Sequence, residues 1–308
     1  MIASLRARRS SLSRREAILG YLYISPWLAG LVIFTAGPIV ASAYLSLTEY
    51  RILVPPRFIG LDNYTRAVGG GDAIFWRAVY NTTYYAVLFV PLSIAGSLAA
   101  ALLLNVGVRG QAAFRTMFFI PSITPAVAAV LLWIWFLSPE FGPLNSLLRA
   151  VGIEGPPWLG SPDWSKPALI LMSLWGAVGG TTMIIFLAGL QGIPAELYEA
   201  AEIDGANAWQ GFVNVTLPLL SPAVFFNLVV GMIAAFRVFT AAFVATGGGP
   251  LYSTMFYMLH LFNNAFVFLH MGYASALAWL FVLLVLALVV VQVRMATRWV
   301  YYEGEVQR

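Results

Sequence analysis

Groups able to do acid–base, covalent or metal chemistry are few in this sequence, and they lie apart. There are 13 Asp and Glu, two His and no Cys, which removes thiol catalysis, cysteine metal sites and disulfides. His260 and His270 have no carboxylate near them in sequence, so packing or interfacial placement is expected, not a metal or proton-relay role. No paired carboxylates or activated nucleophile stand at a workable spacing, and no GxxxxGK[ST] phosphate loop occurs. The expectation is a protein that is not an enzyme, with no metal and no cofactor of its own. What the sequence does offer is recognition chemistry. Glu196, Glu199, Ala200, Ala201, Asp204 and Gly205 fall together, with Leu217-Pro218 following. Small alanines permit close approach, and exposed carboxylates pair with a partner's arginines. The plainer reading is a solvated acidic connector, and residue types alone leave both standing.

The elements that carry this segment are read from the charges. Hydrophobic residues make up 60% of the 308 and charged residues 10%, far below the roughly 25% of a soluble domain, so an integral membrane protein is expected. The formal charge of +4 is spread over tails and loops, which suggests membrane-face orientation and no nucleic-acid partner. Runs free of charge, each long enough for the ~20 residues of a crossing, place helices near 20–46, 82–105, 116–137, 167–190, 222–244 and 272–293. They lie in a membrane-spanning domain over 17–298, between a basic tail at 1–16 and a second tail at 299–308. Gly247-Gly248-Gly249-Pro250 breaks the last long run. The segment 251–269 is apolar enough for a seventh crossing, but His260, Asn263 and Asn264 favour an interfacial or protein-packed helix. Six crossings put Arg6, Arg8, Arg9, Arg14, Arg15, Arg109, Arg115, Arg294 and Arg298 on one side, the cytoplasmic one. The apolar stretch from Ile18 to Val40 exceeds the ~7–15 residues of a signal core and is expected to remain as the first helix.

Six crossings place the loop 191–221 in the cytoplasm, between spans four and five. Pro194 suits a first helical turn, Glu196 and Glu199 match the helix dipole there, and Gly205 permits a sharp turn. Pro218 discourages helix continuation. A short helix, a turn and a second helix returning to the bilayer are expected. Within span five, Arg237 is the only Lys or Arg inside a predicted crossing. It either faces a polar pathway or snorkels to headgroups. Asn227 either lines a polar pathway or bonds between helices, and Phe239 either stacks on a ligand face or packs. Gly176 and Gly180 form a GxxxG pattern expected in helix packing, against this chain or a partner.

Glu199-Ala200-Ala201, then Gly205, Val215 and Leu217-Pro218, resembles the "EAA" signature of binding-protein-dependent ABC importer permeases, with Val215 in place of the usual isoleucine. With Asp204 the segment reads EAAEIDGA, similar to the carbohydrate branch. The likeness extends along the chain, through Pro26-Trp27, Phe58-Ile59-Gly60-Leu61-Asp62-Asn63-Tyr64, Asn81-Thr82, Phe141-Gly142-Pro143-Leu144-Asn145, Trp158-Leu159-Gly160, Gly272-Tyr273-Ala274 and Tyr302-Glu303-Gly304. These look like the maltose and glycerol-phosphate type subunits.

The resemblance implies an all-α membrane protein with the six transmembrane helices of the type I ABC importer permease fold and cytoplasmic N and C termini. It implies a bacterial or archaeal cytoplasmic (inner) membrane and inward movement of a sugar or sugar-like solute by alternating access. ATP-Mg would be bound by a partner ATPase. A second homologous permease, two cytoplasmic ABC ATPase subunits, an extracytoplasmic solute-binding protein and membrane lipid are the implied partners. Glu199, Ala200, Ala201, Asp204, Gly205, Leu217 and Pro218 would couple to the ATPase, and Asn227, Arg237, Phe239 and Thr240 would line the pathway. Relatives often carry Phe-Asp where Phe239-Thr240 stands. The rival class is a secondary transporter with its own ion coupling, but the predicted spans contain no acidic residue for that role.

Overall fold

The computed structural model of the chain describes residues 2–106 and 110–301, with the backbone alone for 2–13. Arg109 and Tyr302-Glu303-Gly304 lie outside the described residues, as do the side chains of Arg6, Arg8 and Arg9. In chain order the helices are α1 (Ile2–Leu31), running through a wide turn at Val32–Ala36 into α2 (Gly37–Ser46), α3 (Asp62–Val68), α4 (Phe75–Asn105), α5 (Gln111–Ile123), α6 (Ala126–Phe136), α7 (Pro143–Ala150), α8 (Ser165–Ala177) and α9 (Thr181–Gln191). There follow α10 (Ala195–Ile203), α11 (Ala208–Gly211), α12 (Leu217–Phe236), α13 (Thr240–Ala245), α14 (Tyr257–Phe262) and α15 (Met271–Ala296). Strands β1 (Thr48–Arg51) and β2 (Val54–Phe58) form one antiparallel hairpin.

Among the described residues four helical stretches are long and apolar enough to cross a membrane: Arg14–Ser46, Phe75–Asn105, Ala208–Ala245 and Met271–Ala296. Two bent pairs, α5 with α6 at 96° and α8 with α9 at 50°, raise the number to six if each pair is one span. The expectation of single helices over 116–137 and 167–190 is corrected accordingly. Thr124 precedes Pro125, whose ring drives it to extended backbone (φ −68°, ψ 132°) and ends α5. At the second break Gly180 is extended (ψ −152°), and a Cβ on Gly179 would run into the Phe118 carbonyl. Gly176 and Gly180 face Pro121 and Ser122, so the GxxxG pattern packs on this chain's own α5. The helix expected over 222–244 also stops, at Arg237–Phe239, with α13 resuming beyond it.

Residues 251–269 do not form a seventh crossing. They comprise the six-residue α14 and a wide turn at Asn263–Val267. Pro218, expected to discourage helix, instead lies in the first turn of α12, directly after another wide turn at Phe212–Thr216. The ladder already changes register there, so a missing N–H is tolerated.

The chain divides into two compact units. In one (Met1–Thr65 with Asn264–Trp279), the hairpin is tied down by Asn63, whose Nδ2 donates to the carbonyls of Ser46 and Thr48, each at 2.9 Å. Gly272 lets α15 touch the Thr48 carbonyl, which no Cβ would permit. In the other (Arg66–Asn263 with Leu280–Arg308), α4 is the central post. One buried cluster gathers Tyr85 and Val90 of α4, Leu169 of α8, Phe236 of α12 and Phe256. A second gathers Ala101 and Leu104 of α4, Phe186 and Leu190 of α9, and Leu220 of α12.

The loop between α13 and α14 is fastened to α4 by side chains in place of regular structure. Asn81 Nδ2 donates to the carbonyls of Tyr252 (2.9 Å) and Met255 (3.1 Å), and its Oδ1 accepts from Lys166 Nζ at 3.2 Å. Thr82 Oγ1 accepts the Tyr257 N–H at 2.8 Å. Replacing Asn81 by Leu orphans the buried Met255 carbonyl at about 1–3 kcal/mol, and also removes the bond to the more exposed Tyr252 carbonyl. Thermal unfolding of the purified Asn81→Leu chain should show a lowered midpoint, and an unchanged midpoint would contradict the role given to this side chain.

Candidate functional site

The acidic segment folds as the spacing requires. Helix α10 begins after Pro194 and ends in a Schellman motif: Ala206 N–H donates to the Ala201 carbonyl (2.9 Å) and Gly205 N–H to that of Glu202 (3.0 Å). Gly205 sits at φ +79°, a conformation glycine reaches without Cβ strain. Asn207 then caps α11 in a reciprocal box, its Oδ1 accepting Gln210 N–H at 2.9 Å while Gln210 Oε1 accepts Asn207 N–H at 2.8 Å. The interval from Glu199 to Gly205 is therefore the length of a helix end plus its stop signal.

Glu199, Ala200, Asp204, Gly205 and Leu217 are exposed, and Ala201 and Pro218 half-buried. None of Glu196, Glu199, Glu202 and Asp204 makes an ion pair with a described residue. Ile203 (86% exposed) and Trp209 (71%) add an apolar contribution to the same turn. Beneath it the frame is rigid. Leu190 before the segment and Leu220 after it both pack on α4, and a Cβ on Gly189 would lie 2.7 Å from Leu220 Cδ2. The Tyr198 hydroxyl bonds the buried Thr216 hydroxyl at 2.9 Å, joining α10 to the foot of α12. A 480 Å³ cleft under the turn is lined by Leu102 and Asn105 of α4 with Tyr198, Ala201 and Glu202.

The second feature lies where the helix breaks meet. A 440 Å³ cavity is lined by Ser122, Thr124 and Ala126 at the α5–α6 break, by Ser173, Gly176 and Ala177 near the α8–α9 break, and by Val238, Phe239 and Thr240 at the α12–α13 break. Trp133 and Trp175 form one wall, their rings 6.3 Å apart at 75°. Of the four residues of span five singled out in the sequence, Phe239 and Thr240 line this cavity. Phe239 also stacks on Phe243 with centroids 5.1 Å apart, so it packs and lines at once. Arg237 is exposed in the same break and is not part of the lining. Asn227 is buried elsewhere on α12, donating to the Ala223 carbonyl of its own helix at 2.8 Å.

One pair gave no sequence signal. His260 of α14 bonds Asp72 at 2.7 Å across 188 positions, while the other Asp72 oxygen accepts the N–H groups of Ile74 and Phe75 at the start of α4. Tyr198 and Thr216 fall outside the signature positions and carried no sequence signal of their own. Pairing two residues 18 apart requires knowing that α10 folds back on α12.

Long apolar helices, and broken ones that meet at a common cavity, define a multi-pass membrane protein. Residues 93–300 match the family described as "Binding-protein-dependent transport system inner membrane component", and the chain belongs to that family. It is 39% identical over 302 residues to "Probable ABC transporter permease protein YesP" of Bacillus subtilis (strain 168), covering 97% of this chain and 96% of that protein. It is 34% identical over 286 residues to "Trehalose/maltose transport system permease protein MalF" of Thermococcus litoralis, covering 92% and 96%. The fold is also that of a chain in the crystal structure of a bacterial ABC transporter involved in the import of the acidic polysaccharide alginate. There the TM-score is 0.81 at 23% identity, with 94% of this chain and 99% of that chain covered.

Tyr198→Phe removes the tie between α10 and α12 at a cost of about 0.5–1.5 kcal/mol. Amide exchange along α10 should then quicken a few-fold without a matching change along α4. Equal exchange in both proteins would show that Tyr198 does not hold the turn.

Proposed function

We propose that the chain is the membrane-spanning permease subunit of an ATP-driven importer of a sugar or sugar-like solute. ATP and Mg²⁺ are bound by two separate ATPase subunits that dock on α10 and α11. The observation carrying this reading is that exposed turn, whose carboxylates lack ion-pair partners among the described residues while its supports are buried. A partner surface bearing arginines is its chemical complement. On this reading the loop 191–221, Arg115, Arg294 and both termini face the cytoplasm, in keeping with retention of basic loops there.

A second homologous permease completes the pathway, and an extracytoplasmic solute-binding protein delivers the solute. Closure of the ATPase pair displaces α10. Because the loop's two flanks pack on α4, the displacement passes to the helices bearing the breaks. Alternating access then follows from a two-state packing biased by nucleotide on one side and by the loaded binding protein on the other. A sugar as solute is supported by the trehalose/maltose name of the Thermococcus relative and by the hydroxyl-bearing and aromatic lining of the cavity.

Gly205→Asp tests the docking role: a Cβ at Gly205 meets nothing within 4 Å, so the cost to the chain is the local strain of a side chain at φ +79° in the exposed turn. The variant should insert into the membrane normally, fail to retain the ATPase subunits that co-purify with the wild type, and abolish uptake. Normal uptake by this variant would remove the proposal.

A further inference from the structure

Lys and Arg together number 17 in this chain, and Lys166 is the single lysine. It lies half-buried in the first turn of α8, with its ammonium over two ring faces of α4. Nζ is 5.0 Å from the Tyr80 centroid and 4.9 Å from that of Tyr84, within reach of both ring quadrupoles. The buried Asn81 Oδ1 takes one of its N–H groups at 3.2 Å. An ammonium has three, so the head of this long side chain is held at one point with donors to spare. Arg77, on the same face of α4, and Asp163, just before α8, are its charged neighbours. Neither Lys166 nor Arg77 makes an ion pair with a described residue. Two cations against one carboxylate leave a positive charge uncompensated.

The neighbouring surface decides which anion fits. Trp76 and Tyr80 are exposed in the first turns of α4, where a crossing helix carries its interfacial aromatic residues. Beyond Tyr84 the same face becomes apolar, with Val87 and Leu88 exposed, and Leu88 lies only about 6 Å further along the axis than Tyr84. The ammonium therefore sits where headgroups give way to acyl chains. An anion that fills this place brings an apolar body with it, which neither free phosphate nor the acidic face of a soluble protein has. A zwitterionic phospholipid presents its own cation to Lys166 and Arg77, so a headgroup with a phosphate and no cation is the better complement. We propose that this corner between α4 and α8 binds an anionic glycerophospholipid. Its phosphate accepts from Lys166 in the field of Arg77, its headgroup rests beside Tyr80, and a chain runs along Val87 and Leu88. The importer reading sets only the leaflet, which is the outer one.

Because the lysine is unique, its exposure can be read on a single peptide. The full chain in a non-ionic detergent is treated with N-hydroxysuccinimidyl acetate, and acetylation of Lys166 is followed by peptide mass. The probes are palmitoyl-oleoyl phosphatidylglycerol, palmitoyl-oleoyl phosphatidylcholine and inorganic phosphate. Phosphatidylglycerol should slow acetylation saturably, by about fivefold or more once the site is filled, while the other two leave the rate nearly unchanged. Arg77→Gln and, independently, Tyr80→Leu alter exposed side chains and should each remove most of that protection. Arg294→Gln, a cation of α15, should leave it intact. Equal slowing by phosphatidylcholine, slowing by inorganic phosphate, protection that survives both α4 variants, or no slowing by phosphatidylglycerol would overturn the proposal. Neither uptake nor ATPase attachment enters these rates, so the outcome with Gly205→Asp stands apart from them.

Discussion

A peptide group within a bilayer has no water to bond, so a membrane helix can be interrupted only where protein or a polar cavity satisfies the freed groups. The second unit follows from that constraint. Its three interruptions, at Thr124-Pro125, Val178–Gly180 and Arg237–Phe239, do not scatter over the surface but share one cavity. Beside the first of them Ser122 and Thr124 donate to the Phe119 and Ile120 carbonyls near the end of α5. The breaks thus bring a few hydroxyls to a largely apolar cavity.

Helix α4 connects this site with the acidic turn. Its amino-terminal part contributes Asn81 and Thr82 to the loop before α14, and its middle contributes Tyr85 and Val90 to the cluster shared with α8 and α12. Its far end contributes Ala101 and Leu104 to the cluster that holds α9 and α12. Leu190 and Leu220, which flank the α10–α11 segment, thus sit in the same packed cluster as α4, and close packing with few voids transmits strain instead of absorbing it.

The acidic turn was largely legible in the sequence because its signals are local. Pro194, the carboxylates of the first turn, Gly205 and the return through Leu217-Pro218 each act within a few residues, and the Schellman motif follows from that spacing. The breaks were less legible. Pro121 and Pro125 lie inside the stretch read as one helix over 116–137, and the 96° bend there sits against the α8–α9 break, where Gly179 lets the chain meet the Phe118 carbonyl. The stop at Arg237–Phe239 contains neither Pro nor Gly and is secured by Phe239, Phe243 and Phe262 packing on one another. The pairing of His260 with Asp72 had no local trace, since nothing near His260 in sequence marks a partner 188 positions away. Asn227 shows the reverse case: a polar residue in a span suggested a pathway or a neighbouring helix, and its Nδ2 donates to the Ala223 carbonyl of its own helix.

The central claim is that another protein's ATP hydrolysis enters this chain at α10. The chain contains no cysteine, so a single Ala200→Cys substitution supplies a unique thiol on the exposed side of that helix. Site-directed cross-linking in membranes from cells expressing the complete transporter should join this position to an ATPase subunit, with a yield that changes when ATP is added. Cross-linking to the external solute-binding protein, or none to any ATPase subunit while uptake remains intact, would contradict the account.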